Sequence, residues 1–218
     1  MGIFKKFNLK GYNEDYYKIY EKLEKIDFDE IPSFRKMKDF LNIKENEKIL
    51  DAGCGDGHLL NYFVKGIKCK AYGVDISDVA LKIAKKRYPD IKFYKQNLVK
   101  LKFPSQYFDK IVCYNVIEHI AEQDKVLKEL KRVLKKNGIL VIGTNIKNSI
   151  CWKLYQLLIT EHTHIKEFTV KEFVEFVGKY FFIEDKLISS GVFRVPKFAR
   201  WIFHYILKSD IILKARRT

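Results

Sequence analysis

Long apolar runs are missing from this chain. Nowhere do about 18 uninterrupted apolar residues stand together, so no segment is long enough for a hydrophobic membrane span. The opening Met1-Gly2-Ile3-Phe4-Lys5-Lys6 holds no apolar stretch of the kind a secretory signal needs. Cysteine is scarce: Cys54, Cys69, Cys113 and Cys151 are scattered and form no Cys-x-x-Cys pair. That spacing excludes a zinc ribbon and reads as reduced thiols in a cytoplasmic protein, soluble or peripheral at a membrane. Internal repeats and low-complexity blocks are also absent, and so is any evident Ser-His-Asp set.

Acidic residues are in deficit. Against 42 lysines and arginines stand 27 aspartates and glutamates, leaving a formal charge of +15. A surplus of this size attracts polyanions or anionic membranes but does not choose between them. The lysines of 82–87 and 125–136 fall on expected surface helices, where such runs are usually solvated faces. With 218 residues, 47% of them hydrophobic, the chain is long enough for one large core.

The richest local signal is Ile49-Leu50-Asp51-Ala52-Gly53-Cys54-Gly55-Asp56-Gly57-His58, an apolar strand that ends in an acid and breaks into three alternating glycines. Glycines here let a ligand approach the backbone, with amides expected to point outward at the start of the next helix. A dinucleotide fingerprint requires its third glycine one residue later, where this chain has His58. The turn therefore argues against a pyrophosphate and against a nicotinamide-dependent oxidoreductase. Cys54, held between glycines with no evident base, reads as a packing residue.

Leu50–Gly57 resembles the first motif of class I S-adenosylmethionine-dependent methyltransferases, and further motifs follow in order. Asp75 ends a second apolar strand twenty positions after Gly55, Gln96-Asn97-Leu98 follows a third, and Phe108–His119 is similar to the fourth-strand motif. Leu127–Leu140 is similar to the helix, turn and fifth strand beyond it. The resemblance covers roughly residues 34–190 and is strongest toward the ubiquinone-pathway and small-RNA 2′-O-methyltransferase group. It implies S-adenosyl-L-methionine as cofactor, with Asp51 and the turn of Gly53 and Gly55 at the methionine end, Asp75 on the ribose and Asn115 also among the cofactor-binding residues. Ile76 would pack on adenine, with Asn97 and Leu98 beside it.

Short β-branched runs alternate with amphipathic stretches, which predicts an α/β fold: a Rossmann-like, mostly parallel seven-stranded sheet with helices on both faces. Strands are expected near 48–52, 70–75, 91–94, 109–114, 138–143, 181–189 and 210–216. Helices are expected near 14–26, 32–41, 57–66, 77–87, 123–136, 150–159, 169–179 and 196–208. Pro32 is well placed for a helix start, and Thr169 with Glu172 reads as a capping box. The family resemblance implies that the last strand is antiparallel and lies between the fifth and sixth. Residues 1–45 form an expected N-terminal helical cap and 46–218 the cofactor-binding domain, with cap segments inserted near 145–168 and 191–208. Tyr12, Tyr16, Tyr17 and Tyr20 either line such a cap or pack against the sheet.

Methyl transfer from a sulfonium asks the protein mainly for alignment, so missing catalytic triads are no objection. Asn115-Val116-Ile117-Glu118-His119 falls after the fourth strand, on the ligand-binding edge of such sheets. In the related enzymes a Glu-x-x-Glu-His sequence here supplies metal ligands; this chain keeps Glu118 and His119 but has Asn115 at the first position. His164 resembles the later histidine that completes that set. Two readings stay open: Glu118, His119 and His164 around a divalent cation, or, without metal, a hydrogen-bonded Glu118–His119 pair with His119 as base or orienting group. His162 reads as a solvated loop residue.

Residues 196–208 carry Phe198, Trp201, Ile202, Tyr205 and Ile206 on one helical face, opposite Lys197, Arg200, His204 and Lys208. Residues 194–218 hold seven basic groups against Asp210 alone. The helix reads as core cover, as a lid for a lipid-like substrate at an anionic membrane surface, or as an RNA-binding face. The overall expectation is a methyltransferase acting on a small or lipid-like O- or C-acceptor. The alternatives are an RNA methyltransferase and a cofactor-binding module without turnover.

Overall fold

The computed structural model describes residues 28–146, 165–189 and 210–218. The expected helices at 14–26, 150–159 and 196–208, most of the cap segments and both His162 and His164 lie outside the described residues.

Seven strands form one sheet in the order β3-β2-β1-β4-β5-β7-β6: β1 Lys48–Ala52, β2 Lys70–Asp75, β3 Lys92–Lys95, β4 Phe108–Tyr114, β5 Leu134–Asn145, β6 Phe182–Ser189 and β7 Asp210–Arg216. The first five pair in parallel, and β7 runs antiparallel to both β5 and β6, where the resemblance puts it. The described α-helices are α1 Pro32–Leu41, α2 His58–Val64, α3 Asp78–Arg87, α4 Gln123–Val133 and α5 Val170–Gly178.

Three helix starts have a local cause. Pro32 occupies the first turn of α1, Ser77 accepts from the Ala80 amide to cap α3, and Thr169 with Glu172 makes both bonds of a capping box on α5. The largest departure from expectation lies between α4 and β5: α4 stops at Val133, three residues early, and β5 begins at Leu134, four residues before position 138. Leu134 pairs with Phe108, after which the ladder shifts register and resumes at Lys110 with Ile139. Lys135–Gly138 supply the irregularity, with Asn137 left-handed at φ 61°, so these residues cannot continue a helix.

Apolar side chains fill both faces of the sheet. Phe34, Met37, Leu60, Phe63 and Leu81 from α1–α3 pack with Ile49, Val112 and Val141 on one side. On the other, Leu127, Leu130, Phe173 and Val177 from α4 and α5 pack with Leu50, Ile111 and Leu140. The chain runs outward from β1 through β2 to β3 and then returns to β4 on β1's other side. That reversal opens a crevice at the carboxyl ends of β1 and β4, where open α/β sheets bind ligands. Among the described residues no helix is long and apolar enough to cross a membrane.

Candidate cofactor and acceptor site

The glycine turn sits at the mouth of this crevice. Gly53, Gly55 and Gly57 all have positive φ, at 89°, 52° and 78°. A Cβ on Gly53 would stand 2.3 Å from a Val116 methyl, and one on Gly57 2.6 Å from the Phe93 ring. Around Gly55 nothing lies within 4 Å, so that glycine keeps its side open.

Five amides of the turn are bonded within the fold. Gly53 and Cys54 donate to the Val74 carbonyl, Gly57 donates to Cys54, and His58 donates to Asp56. Gly55 donates to Asp75 Oδ2 at 2.9 Å, and the other Asp75 oxygen accepts from the Ser77 amide at 2.9 Å. With these donors committed, the lip of the crevice is left rich in carbonyl and carboxylate oxygen. Such a lip repels phosphate and attracts a cation.

Asp51 lies beneath the turn, only 3% exposed. Burial first, then Asp75 and Asp56, push its carboxyl up to about 8. Asp56 is partly neutralised by Arg87 at 2.8 Å. Ile76 is 63% exposed, unusual for a large aliphatic in this chain, and stands directly after Asp75 as an apolar platform. Exposed Asn97 uses its side-chain oxygen to accept from the Val99 amide at 3.0 Å, which fixes the loop and leaves a second lone pair. Leu98 turns its side chain into the core, so its backbone is what it can present.

Asn115 adopts φ 53° and anchors its amide on the Gly143 carbonyl of β5. Glu118 follows on a 3-10 turn, Ile117–His119, and is 1% exposed. The expected Glu118–His119 hydrogen bond is not made: neither Glu118 carboxylate oxygen has a partner. Successive residues on a helical turn face different ways, and His119 is half-buried. Burial pushes Glu118 up to about 7, partly offset by its own backbone amide and nearby Thr144. Among the described residues no three acidic, histidine or cysteine side chains gather as a metal site.

Sequence reasoning missed Tyr114 and Asp210. The Tyr114 hydroxyl donates to Asp210 Oδ2 at 2.7 Å, reaching from β4 across β5 to β7. Gly143 makes that reach feasible, because a Cβ there would lie 2.8 Å from the Tyr114 ring. Asp210 is 4% exposed at the start of β7, directly before the apolar run Ile211-Ile212-Leu213, which was the available signal.

Residues 50–142 match the family model for the methyltransferase domain. Across those residues the chain thus carries a methyltransferase domain. Over 96 residues it is 31% identical to a probable S-adenosylmethionine-dependent methyltransferase of Mycobacterium tuberculosis, covering 44% of this chain and 35% of that one. Over 108 residues it is 32% identical to the ubiquinone/menaquinone biosynthesis C-methyltransferase of Campylobacter jejuni, covering 47% and 46%. The matched segments therefore span about a third to a half of these curated relatives. Among solved structures, a methyltransferase from Aquifex aeolicus aligns with TM-score 0.67 at 20% identity, covering 94% of this chain and 100% of that one. Geranyl diphosphate C-methyltransferase from Streptomyces coelicolor aligns with TM-score 0.68 at 13% identity, covering 85% and 77%. Both share the fold. The likeness to small-RNA 2′-O-methyltransferases gains no support from these relatives.

Proposed function

We propose that this chain is an enzyme that transfers the methyl group of S-adenosyl-L-methionine to a small or lipid-like acceptor, at oxygen or an activated carbon. The observation that carries the reading is Asp51, a buried acid under an oxygen-lined glycine turn, with the exposed Ile76 platform one strand away. A lip of that polarity fits the methionine end of a sulfonium cofactor, and the platform fits a flat apolar ring. Asp51 with Gly53, Gly55 and the backbone of Asn115 would hold the methionine end, and Asp75 the ribose hydroxyls. Ile76, Asn97 and Leu98 would bound the adenine.

When bound, the cofactor supplies the activated methyl and leaves as a neutral thioether. The protein's tasks are alignment, exclusion of water and management of charge. As the nucleophile–methyl bond forms and the sulfur–methyl bond breaks, positive charge passes to the acceptor. Glu118 is the anion placed to stabilise it, and His119, half-buried beside the crevice, is the candidate to take the released proton. His164 enters this scheme on the resemblance alone, as a further catalytic candidate. The name of the C. jejuni relative, a C-methyltransferase of quinone biosynthesis, supports a carbon acceptor of lipid-like character.

The test is an acceptor screen with labelled methyl donor, run beside calorimetry with S-adenosylhomocysteine. Turnover is expected on a quinol-like or lipid-like acceptor, with H119A lowering kcat roughly 10²–10⁴-fold and leaving homocysteine-product affinity unchanged. Binding without turnover on any acceptor would instead make the chain a cofactor-holding module. Absence of both binding and turnover would remove the reading altogether.

A further inference from the structure

Five buried side-chain oxygens among the described residues have no hydrogen-bond partner, and four of them lie at one place. They are both carboxylate oxygens of Glu118, the side-chain carbonyl of Asn115 and the hydroxyl of Thr144. Asn115 ends the β4 motif with its amide on the Gly143 carbonyl; Thr144 and Asn145 follow along β5, and their side chains lie close enough to lower the Glu118 carboxyl without reaching hydrogen-bond geometry. Leaving a buried polar group unsatisfied costs about 1–3 kcal/mol, more when it is charged. A fold that gathers four such atoms at its ligand-binding edge is arranged for something that satisfies them.

The chemistry of the set says what that is. An ionised carboxylate and an amide oxygen only accept hydrogen bonds, and a threonine hydroxyl does so readily. A matching group must therefore bring several donors, and a positive charge to answer Glu118. A hydroxyl brings one donor; a carboxylate or phosphate brings none. Electrostatics point the same way. Although the chain is +15 overall, all three buried acids of the described residues, Asp51, Glu118 and Asp210, lie along this edge, and no described lysine or arginine is buried.

We propose that Glu118, Asn115 and Thr144 form a cradle for a protonated amine carried by the methyl acceptor, as its anchoring group. This rests on the reading of the carboxyl edge as the acceptor side. Three N–H donors of an ammonium spread toward the Glu118, Asn115 and Thr144 oxygens, while His119 stays available to the methylated atom. The cofactor has an ammonium of its own, and Asp51 under the glycine turn is its natural partner.

The full chain saturated with S-adenosylhomocysteine is titrated with hexylammonium, hexanol and hexanoate, followed by NMR. Hexylammonium is expected to bind at least tenfold more tightly than hexanol, with hexanoate weakest. E118Q, which keeps the side-chain volume, is expected to erase that preference, and T144V to reduce it several-fold; a thermal melt confirms that each variant is folded. Equal binding of the three probes, or a preference that survives E118Q, overturns the inference. So does an E118Q that weakens S-adenosylhomocysteine but not methylthioadenosine, which lacks the amino-acid tail, because the cradle would then serve the cofactor. If the wild-type chain binds no S-adenosylhomocysteine, the cofactor reading fails first and takes this inference with it.

Discussion

The two edges of the sheet treat polar groups in opposite ways. At the amino edge, Asp109 accepts from the Lys48 amide at 2.9 Å and from Lys135 at 2.6 Å, and Lys110 lies 3.6 Å from Glu47. The Tyr72 and Tyr107 hydroxyls pair at 3.0 Å, and Lys48 covers the Tyr107 ring at 3.8 Å. At the carboxyl edge, acids are buried and four oxygens go unpartnered. The amino edge is built to be stable, whereas the carboxyl edge gives up stability to keep charge and lone pairs ready for a ligand.

The largest effect is expected inside the glycine turn. Gly53→Ala places a methyl on Val116 at a left-handed φ, and should cost about 2–4 kcal/mol, on the order of 10 °C in Tm, along with cofactor binding. Gly55→Ala meets no neighbour, so only its backbone conformation resists, at about 1–2 kcal/mol. Thermal melts of the two variants measure the difference. Equal losses would show that φ alone, and not the Val116 contact, governs the turn.

One acid from each edge gives the sharpest contrast. Above pH 8, where folded Asp51 is ionised, Asp51→Asn removes a buried charge, so the ligand-free protein should become more stable while S-adenosylhomocysteine affinity falls roughly 10–100-fold. Asp109→Asn removes a partnered charge at the opposite edge and should destabilise by about 1 kcal/mol with affinity unchanged. Calorimetry with denaturant melts reads both. Destabilisation by Asp51→Asn would mean that its carboxylate is already well satisfied without ligand.

Acidity should separate the edges as well. Asp51 and Glu118 hold protons in the folded state up to about 8 and about 7, while their unfolded counterparts release them near 3.8 and 4.5. Across that window the unfolded chain binds fewer protons, so these two groups make stability fall as pH rises from 5 to 8 and level off above it. Binding a cationic ligand against Asp51 should then release close to one proton at pH 7. Calorimetry in buffers of different ionisation enthalpy detects it, and no proton uptake by buffer would contradict the placement of Asp51.

Much of this arrangement was legible in the chain because its signals are local. The bounds of β1, β2 and β7, the start of α1 and the capping box on α5 follow from alternation, Pro32 and Thr169, each read within a few residues. Asp51 and the glycines were likewise visible as a strand that ends in a turn. What escaped was set by partners distant in sequence. Tyr114 reaches Asp210 across 96 positions, and the Gly55 amide is claimed by Asp75, so neither the tyrosine's role nor the commitment of the turn's donors could be read locally. The early end of α4 has the same origin, since Leu134 is drawn into the ladder by Phe108. The Glu118–His119 pairing was inferred from adjacency, and adjacency on a 3-10 turn separates the side chains.

The smallest effect belongs to the amino edge, where redundancy absorbs single losses. Lys48→Met removes the ammonium over the Tyr107 ring but keeps the aliphatic stem against it, and the Lys48 amide still bonds Asp109. A cation–π contact at a partly exposed site is worth about 0.5–1 kcal/mol, so the variant should shift the urea midpoint only slightly and leave cofactor affinity untouched. Tyr107 also stacks near Phe103 and meets Phe108 edge-on at 5.0 Å, which holds its ring in place without the lysine. A loss above about 2 kcal/mol would show that Lys48 restrains the tyrosine pair itself, and that this edge too stores strain.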